Sequence, residues 1–292
     1  MTDIDQVISA LVKSRGAMGK QLRRAADYVL ENPDRVATQS MRRLAADAGV
    51  TAPTMSRVAK TVGFSSYEDF RNLYRNGYHQ IAHNFGDRAL KLQGLHGESD
   101  GHMLWQSLLE ANNAHLQLLL EGTRGLQIEK AASAILSARR VFVTGMQSSF
   151  AFATYLHYIG GLAFPNWTLI SGRGSTLADE TSALSDKDVV IVISFAPYAR
   201  DAVRLAELAV QRGASVIAIT DELTSPLAAL ADDLFVVPSD SPQYFSSYVA
   251  TTALIEALVA NLVSQSGEEV VDRIKNIEAT RETFSDYWSE DN

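Results

Sequence analysis

The chain has no cysteine, and that one absence removes disulfides, thiolate zinc sites, iron–sulfur clusters and cysteine nucleophiles together. A reducing compartment fits. No apolar run approaches the roughly 18 to 20 residues of a membrane helix. Met1 to Ala10 also lack the basic-then-apolar order of a secretory signal, so no membrane association and a cytoplasmic location are expected. Without thiolates, metals are left with His and carboxylates. His79 and His83 stand at i, i+4, but no third ligand accompanies them, so no metal site is expected. What is present is an ordinary globular composition, 46% hydrophobic and 21% charged. With 292 residues, about twice a single-domain length, two domains or one large α/β unit are expected.

The net charge of −8 argues against general affinity for nucleic acid, but it conceals an asymmetry. Residues 1–80 carry 12 Lys and Arg against 8 Asp and Glu, while the remainder carries 14 against 26. The N-terminal segment is the part suited to a polyanion.

That segment has helical periodicity. Ile4, Val7, Ile8 and Leu11, and then Leu22, Ala25, Ala26, Val29 and Leu30, each form an apolar stripe. Asn32-Pro33 stops the second helix. Ser40 can cap a helix from Met41 to Ala48, Gly49 can take a positive φ at the turn, and Thr51 opens the next helix with Pro53 in its first turn. Helix, glycine turn and helix over 40–60 have the spacing of a helix-turn-helix. Leu44, Ala45, Val50, Met55, Val58 and Ala59 supply its inner contacts. Thr54, Ser56, Arg57 and Lys60 are expected to face outward. Gly63-Phe64-Ser65-Ser66-Tyr67 then leads into a helix from about Glu68 to Gln80. On this reading Arg42, Arg43 and Lys60 contact phosphates of double-stranded DNA, and Thr51, Thr54, Ser56 and Arg57 reach base edges. The plainer alternative is a helical oligomerisation module with solvated charges.

Past Gly86, the polar stretch Leu92–Gly101 reads as a linker, followed by helices from about His102 to Glu121 and Ile128 to Ala138. Five apolar runs then alternate with helical stretches: Val141–Thr144, Trp167–Ile170, Val189–Ser194, Val216–Thr220 and Leu234–Val237. The pattern predicts a parallel doubly wound sheet, closed by helices of about Ser246–Ser264 and Glu268–Phe284. The expected fold class is therefore α/β, an all-α helix-turn-helix domain (1–80) followed by a five-stranded parallel α/β sandwich (128–270). Residues 81–127 connect them, and 271–292 form a C-terminal helix and tail.

Ligands of such sheets bind beyond the C-terminal strand ends, at helix N-termini. Three loops there carry polar groups: Gly145-Met146-Gln147-Ser148-Ser149, a Gly followed by two hydroxyl residues; Ser171-Gly172-Arg173-Gly174-Ser175-Thr176, which is Gly-rich; and Ser194-Phe195-Ala196-Pro197-Tyr198-Ala199-Arg200, with a hydroxyl, a phenol and a guanidinium. Each hydroxyl at a helix start can equally be an ordinary N-cap. The first loop lacks G-x-G-x-x-G, no Walker A lysine pattern occurs, and no cofactor is expected.

Both segments together resemble the RpiR/MurR-type bacterial transcriptional regulators, in which a helix-turn-helix precedes a sugar isomerase (SIS) domain. The resemblance rests on Leu44 to Arg57 with Gly63-Phe64, on Val143-Thr144-Gly145 with Ser148-Ser149, and on Ile193-Ser194-Phe195 with Tyr198 and Arg200. Gly213-Ala214, Ile219-Thr220-Asp221 and Ser225-Pro226-Leu227-Ala228 complete it. It implies an effector-responsive regulator, not an enzyme, that acts as a homodimer or homotetramer on operator DNA. It also implies a phosphosugar or related sugar acid as effector, with Ser148, Ser149 and Ser194 as its contacts; Gly145, Gln147, Ser175, Thr176, Tyr198 and Arg200 of the same loops complete the expected site. SIS domains that bind sugar phosphates commonly carry Ser-x-Ser-Gly-x-Thr after the third strand. Here the second hydroxyl and the Gly are missing, which leaves Arg200 for the anion and admits a non-phosphorylated acid. The competing reading is a sugar-phosphate isomerase with an appended helical domain, for which Asp179, Glu180, Glu256 and His157 are the candidate acids and bases.

Overall fold

The computed structural model describes residues 4–32, 35–36, 39–74, 85–94, 101–123 and 125–288. The chain divides into two compact units, Met1–Phe85 and Gly86–Asn292.

The first unit is helical: α1 (Ile4–Ser14), α2 (Lys20–Glu31), α3 (Met41–Asp47), α4 (Ala52–Thr61) and α5, over 67–74. The apolar stripes expected from sequence meet in one cluster, with Val7 and Leu11 against Ala25, Ala26 and Val29, and Leu44 and Ala45 against Met55, Val58 and Ala59. Leu11, Leu44, Met55 and Phe70 are fully buried. Side chains of that size stabilise by roughly 1.5–3 kcal/mol each. Phe70 sits edge-on to Phe64 at 5.5 Å and 4.8 Å from Tyr74. Burial in the same cluster pushes the Tyr67 phenol up to about 12.

The turn between α3 and α4 is a Schellman motif. Gly49 has φ +64°, its N–H donates to the Ala46 carbonyl, and the Val50 N–H donates to the Ala45 carbonyl. Ser40 accepts from the Arg43 N–H at 3.3 Å and so caps α3. The helix expected over Glu68–Gln80 is present as far as residue 74; its remainder, and His79 and His83, lie outside the described residues.

The second unit begins with α6 (Phe85–Gly94), α7 (Gly101–Gly122) and α8 (Gly125–Ser137). The expected linker is therefore shorter than Leu92–Gly101, since Leu92 to Gly94 are helical and Gly101 opens α7. Arg88 ties α6 down by donating to the Ser241 and Gln243 carbonyls, each at 2.8 Å. The rest alternates: β1 (Val141–Gly145), α9 (Ser149–Ala163), β2 (Trp167–Ile170), α10 (Leu177–Thr181), β3 (Val189–Ile193), α11 (Arg200–Gln211), β4 (Ser215–Thr220), β5 (Asp233–Val236), α12 (Val249–Ser264) and α13 (Glu268–Thr283).

All five strands are parallel, in the order β2-β1-β3-β4-β5. Both faces are covered, which is why the strands read as continuous apolar runs. Val141, Val143, Ile191, Ile193, Ile217 and Ile219 face α8, α9 and α12. Phe142, Val190, Val192, Val216 and Ala218 face α11. From adjacent strands, β1 leads into α9 on one face while β3 leads into α11 on the other. That divergence opens a crevice outside their C-terminal ends.

Candidate functional site

Two surfaces carry the chemistry expected from sequence. On the first unit, α4 turns Met55, Val58 and Ala59 inward, so Pro53, Arg57, Lys60 and Thr61 form the exposed stripe at i, i+4, i+7 and i+8. Thr51 is exposed at the N-cap position. Ser56 is half-buried and its hydroxyl donates to the Met41 sulfur at 3.5 Å. Arg42 and Arg43 are exposed on α3, Arg43 pairing with Asp47 at 3.4 Å.

Thr54 corrects an expectation. It is only 3% exposed, one position from Met55 on the inner side of α4, and its hydroxyl lies 3.0 Å from that of Thr51. It packs between helices and does not reach bases. Thr61, in contrast, stands on the outer stripe and was not anticipated, although its i+4 spacing from Arg57 signals it.

On the second unit, Gly145 ends β1 where the backbone passes close to α9: a Cβ there would meet the Ser149 carbonyl oxygen at 2.5 Å. Gln147 takes φ +53°, which turns the chain sharply before Ser148, the residue preceding α9. The Ser148 hydroxyl is 2.9 Å from the Tyr248 hydroxyl. Ser149 and Ser194 are both buried, at 4% and 2% exposure. Ser194 continues β3, donating its N–H to the Ile219 carbonyl. Topology brings the Gly145–Ser149 loop and Ser194 to neighbouring strand ends, as expected. Arg200 is exposed at the first position of α11, with no ion-pair partner among the described residues.

The middle loop behaves differently. Thr176 accepts from the Asp179 N–H while the Asp179 carboxylate accepts from the Thr176 N–H, a complete capping box. The Glu180 carboxylate accepts from the Ser171 N–H at 2.7 Å, the Gly172 N–H at 3.0 Å and the Ser175 hydroxyl at 2.7 Å. Burial alone would raise the Glu180 pKa, but these bonds outweigh it and hold the carboxyl below its usual range. Ser175 and Thr176 therefore have their hydroxyls engaged inside their own loop, which corrects their assignment as ligand contacts. Tyr198 is corrected likewise: its phenol donates to Asp221 at 2.8 Å, and burial together with that carboxylate pushes its pKa up.

The same geometry answers the isomerase reading. Asp179 and Glu180 are engaged in these caps, and Glu256 accepts from the Tyr155 hydroxyl at 2.9 Å. No cluster of three metal-ligating side chains occurs among the described residues.

Three residues of this region escaped sequence reasoning. Tyr248, just before α12, bonds Ser148 and packs its ring edge-on to Phe195 at 5.1 Å and tilted against Phe152 at 4.6 Å. Asp221, at the end of β4, holds both Tyr198 and the Ala196 N–H. Arg173 lies over the Phe150 ring at 4.6 Å, carried between Gly172 and Gly174 at φ +63° and +81°. The flanking glycines are a local signal for Arg173, whereas Tyr248, a hundred positions from Ser148, has none. A cleft of about 850 Å³ lies elsewhere, just before β2, lined by Phe164, Pro165, Val270 and Arg273.

A helix-turn-helix unit joined to a doubly wound sheet with a hydroxyl-lined switch point defines a class, and comparison with known proteins places the chain in it. Residues 6–77 match the helix-turn-helix domain of the rpiR family and residues 134–261 match the SIS domain. The chain belongs to the RpiR-type transcriptional regulators that combine the two. Among its relatives is the HTH-type transcriptional regulator HexR of Pseudomonas aeruginosa, 24% identical over 269 residues, 89% of this chain and 90% of that protein. The sugar isomerase domain of an RpiR transcription factor from Sphaerobacter thermophilus is 28% identical with a TM-score of 0.57, covering 60% of this chain and 98% of that one. The Vibrio vulnificus NanR protein, solved in complex with ManNAc-6P, shares the fold over 95% of this chain and 98% of its own, at 21% identity and a TM-score of 0.58. No single helix among the described residues is long and apolar enough to cross a membrane.

Proposed function

We propose that this regulator binds double-stranded operator DNA through α4 and that a phosphosugar or related sugar acid, held at the β1/β3 switch point, changes that affinity. The observation that carries the reading is the convergence of the Gly145–Ser149 loop and Ser194 at adjacent strand ends, with two helix N-termini beside them. In this reading Gly145, Gln147 and the loop amides approach the anion, Ser148, Ser149 and Ser194 hydrogen-bond it, and Arg200 adds the positive charge. The complex of NanR with ManNAc-6P supports a phosphorylated sugar as the ligand class. On the DNA side Arg57 reads bases with Thr51 and Ser56, while Arg42, Arg43 and Lys60 hold phosphates.

Residues 1–80 act as the DNA-binding domain and 128–270 as the effector domain, with 81–127 connecting them and 271–292 completing the fold. A homodimer or homotetramer in the cytoplasm presents two reading helices to two half-sites about one helical turn apart. A coupling of ~1–3 kcal/mol between the sites gives a ~5–150-fold change in operator affinity.

The test is a thermal-shift screen with glucose 6-phosphate, N-acetylmannosamine 6-phosphate and 6-phosphogluconate, since a ligand of the folded state raises apparent stability by mass action. A shift abolished by Ser148→Ala or Ser194→Ala is expected. Shifts untouched by both substitutions would remove the switch point from the reading.

A further inference from the structure

A second polar cleft, of about 470 Å³, lies within the helical unit, against the end of α3 and the turn that follows it. It is lined by Lys20, Arg23, Arg24, Asp27, Tyr28, Asp47 and Ala48. Its charges sort by what each already holds. Asp27 pairs with Arg15 at 2.6 Å, and Asp47 pairs with Arg43 at 3.4 Å and Arg35 at 3.8 Å, so both carboxylates are neutralised locally. Arg23 donates to the Arg15, Gly16 and Met18 carbonyls and serves to fix that turn. Lys20 and Arg24, one helical turn apart at the start of α2, are exposed and have no carboxylate partner among the described residues.

The Arg24 guanidinium lies against Gly49. A Cβ on Gly49 would meet the Arg24 guanidinium at 2.5 Å, so the missing side chain does two things. It permits φ +64° at the turn, and it lets the guanidinium lie directly on the backbone two residues before Thr51, which opens α4. A positive charge thereby lies beside the turn that leads into the helix assigned to base reading. The cleft lies in the N-terminal part of the chain, where Lys and Arg outnumber Asp and Glu 12 to 8 over residues 1–80, against 14 to 26 in the remainder. An extended polyanion fits that distribution better than a small anion.

We infer that Lys20 and Arg24 form a phosphate clamp beside the turn that leads into α4, so that the partner of this cleft is the DNA sugar-phosphate backbone. The inference rests on the DNA-binding reading of α4. Phosphate contacts position a protein without reading sequence, and each one neutralised steepens the salt dependence of binding.

The experiment measures fluorescence anisotropy of the full chain with a labelled mixed-sequence duplex across a salt series. Lys20→Gln and Arg24→Gln are each expected to lower the slope of log K against log[salt] by about 0.9, and the double variant by about twice that. Arg24→Lys keeps the charge and is expected to retain the wild-type slope, an outcome that loss of packing on Gly49 does not produce. Wild-type slopes in both glutamine variants, in a chain that binds DNA and loses affinity on Arg57→Ala, overturn the clamp and leave the α4 reading standing. Protection by inorganic phosphate in the melting curve, with unchanged DNA slopes, overturns it as well. No duplex binding by the wild-type chain overturns both.

Discussion

The loops after β1 and after β2 are built from the same residues, glycine and small hydroxyls, and use them in opposite ways. In the loop after β2, two carboxylates from α10 collect the donors: Asp179 closes a capping box with Thr176, and Glu180 gathers two N–H groups and the Ser175 hydroxyl. The loop after β1 has no carboxylate within reach in sequence, and its Ser148 meets a neutral phenol instead. A hydroxyl at a helix start is a structural cap where an acid follows three to five residues later. Without that acid it stays available to an external anion, which is a usable rule for reading such loops.

The largest expected effect breaks this comparison on the ligand side. At the proposed effector site, Ser148→Ala and Ser194→Ala would each remove a hydrogen bond to a charged group, worth about 1.5–3 kcal/mol. Isothermal titration with the effector should therefore show about a 10- to 150-fold loss of affinity, while the melting temperature of the unliganded protein moves little. Ser175→Ala should leave the affinity unchanged.

Next in size is Glu180→Ala, which leaves the Ser171 and Gly172 N–H groups without their acceptor. Because the carboxylate is only half-buried, a loss of about 1–2 kcal/mol in denaturant unfolding is expected rather than the full value for a buried charged hydrogen bond. The corresponding loss for a substitution at Ser148 should be smaller.

Acid sharpens the contrast further. Hydrogen bonds from Thr176 hold the Asp179 carboxyl below its usual range, and Glu180 is held low despite burial. A carboxyl depressed in the folded state stabilises fully above its unfolded pKa, about 3.9 for Asp and 4.3 for Glu, and that contribution fades as pH falls through the folded value. Melting temperature should thus be level from neutral pH down to about 5 and fall below about 4, with Glu180→Gln flattening the fall. A melting curve in which Glu180→Gln behaves like wild type at acid pH would contradict the loop geometry.

The smallest effect is expected from Tyr248→Phe. Its hydroxyl exchanges one neutral hydrogen bond with Ser148, worth about 0.5–1.5 kcal/mol, while the ring contacts with Phe152 and Phe195 remain. Unfolding should shift by that amount or less. Effector affinity should drop a few-fold if the phenol orients Ser148 for the ligand.

Much of this was legible in the chain itself. The five parallel strands announce themselves because both faces are covered, so each strand is an unbroken apolar run. The helix-turn-helix is legible because Ser40, Gly49 and Thr51 are local devices whose partners lie within a few residues. Thr54 was misjudged because a polar threonine looks solvent-facing, whereas its position beside Met55 places it on the packed side of α4. The linker was overextended because Leu92–Gly101 is polar and rich in glycine, yet Arg88, through carbonyls some 150 positions away, helps anchor α6 to the second unit. The Ser175 and Thr176 assignments failed through incomplete local reading, since Asp179 and Glu180 were in plain view.

The sequence by itself determined the element order, the two-part organisation and the strand-end loops that hold Ser148 and Ser194. Periodicity and caps are short-range properties, written in residues that touch within a turn or two. Tertiary structure alone decided the long-range partners, bringing Tyr248 to Ser148 and Asp221 to Tyr198, and where Arg24 comes to rest on Gly49. Those choices depend on distance and direction across the packed interior, where residues far apart in the chain compete for the same few donors and acceptors.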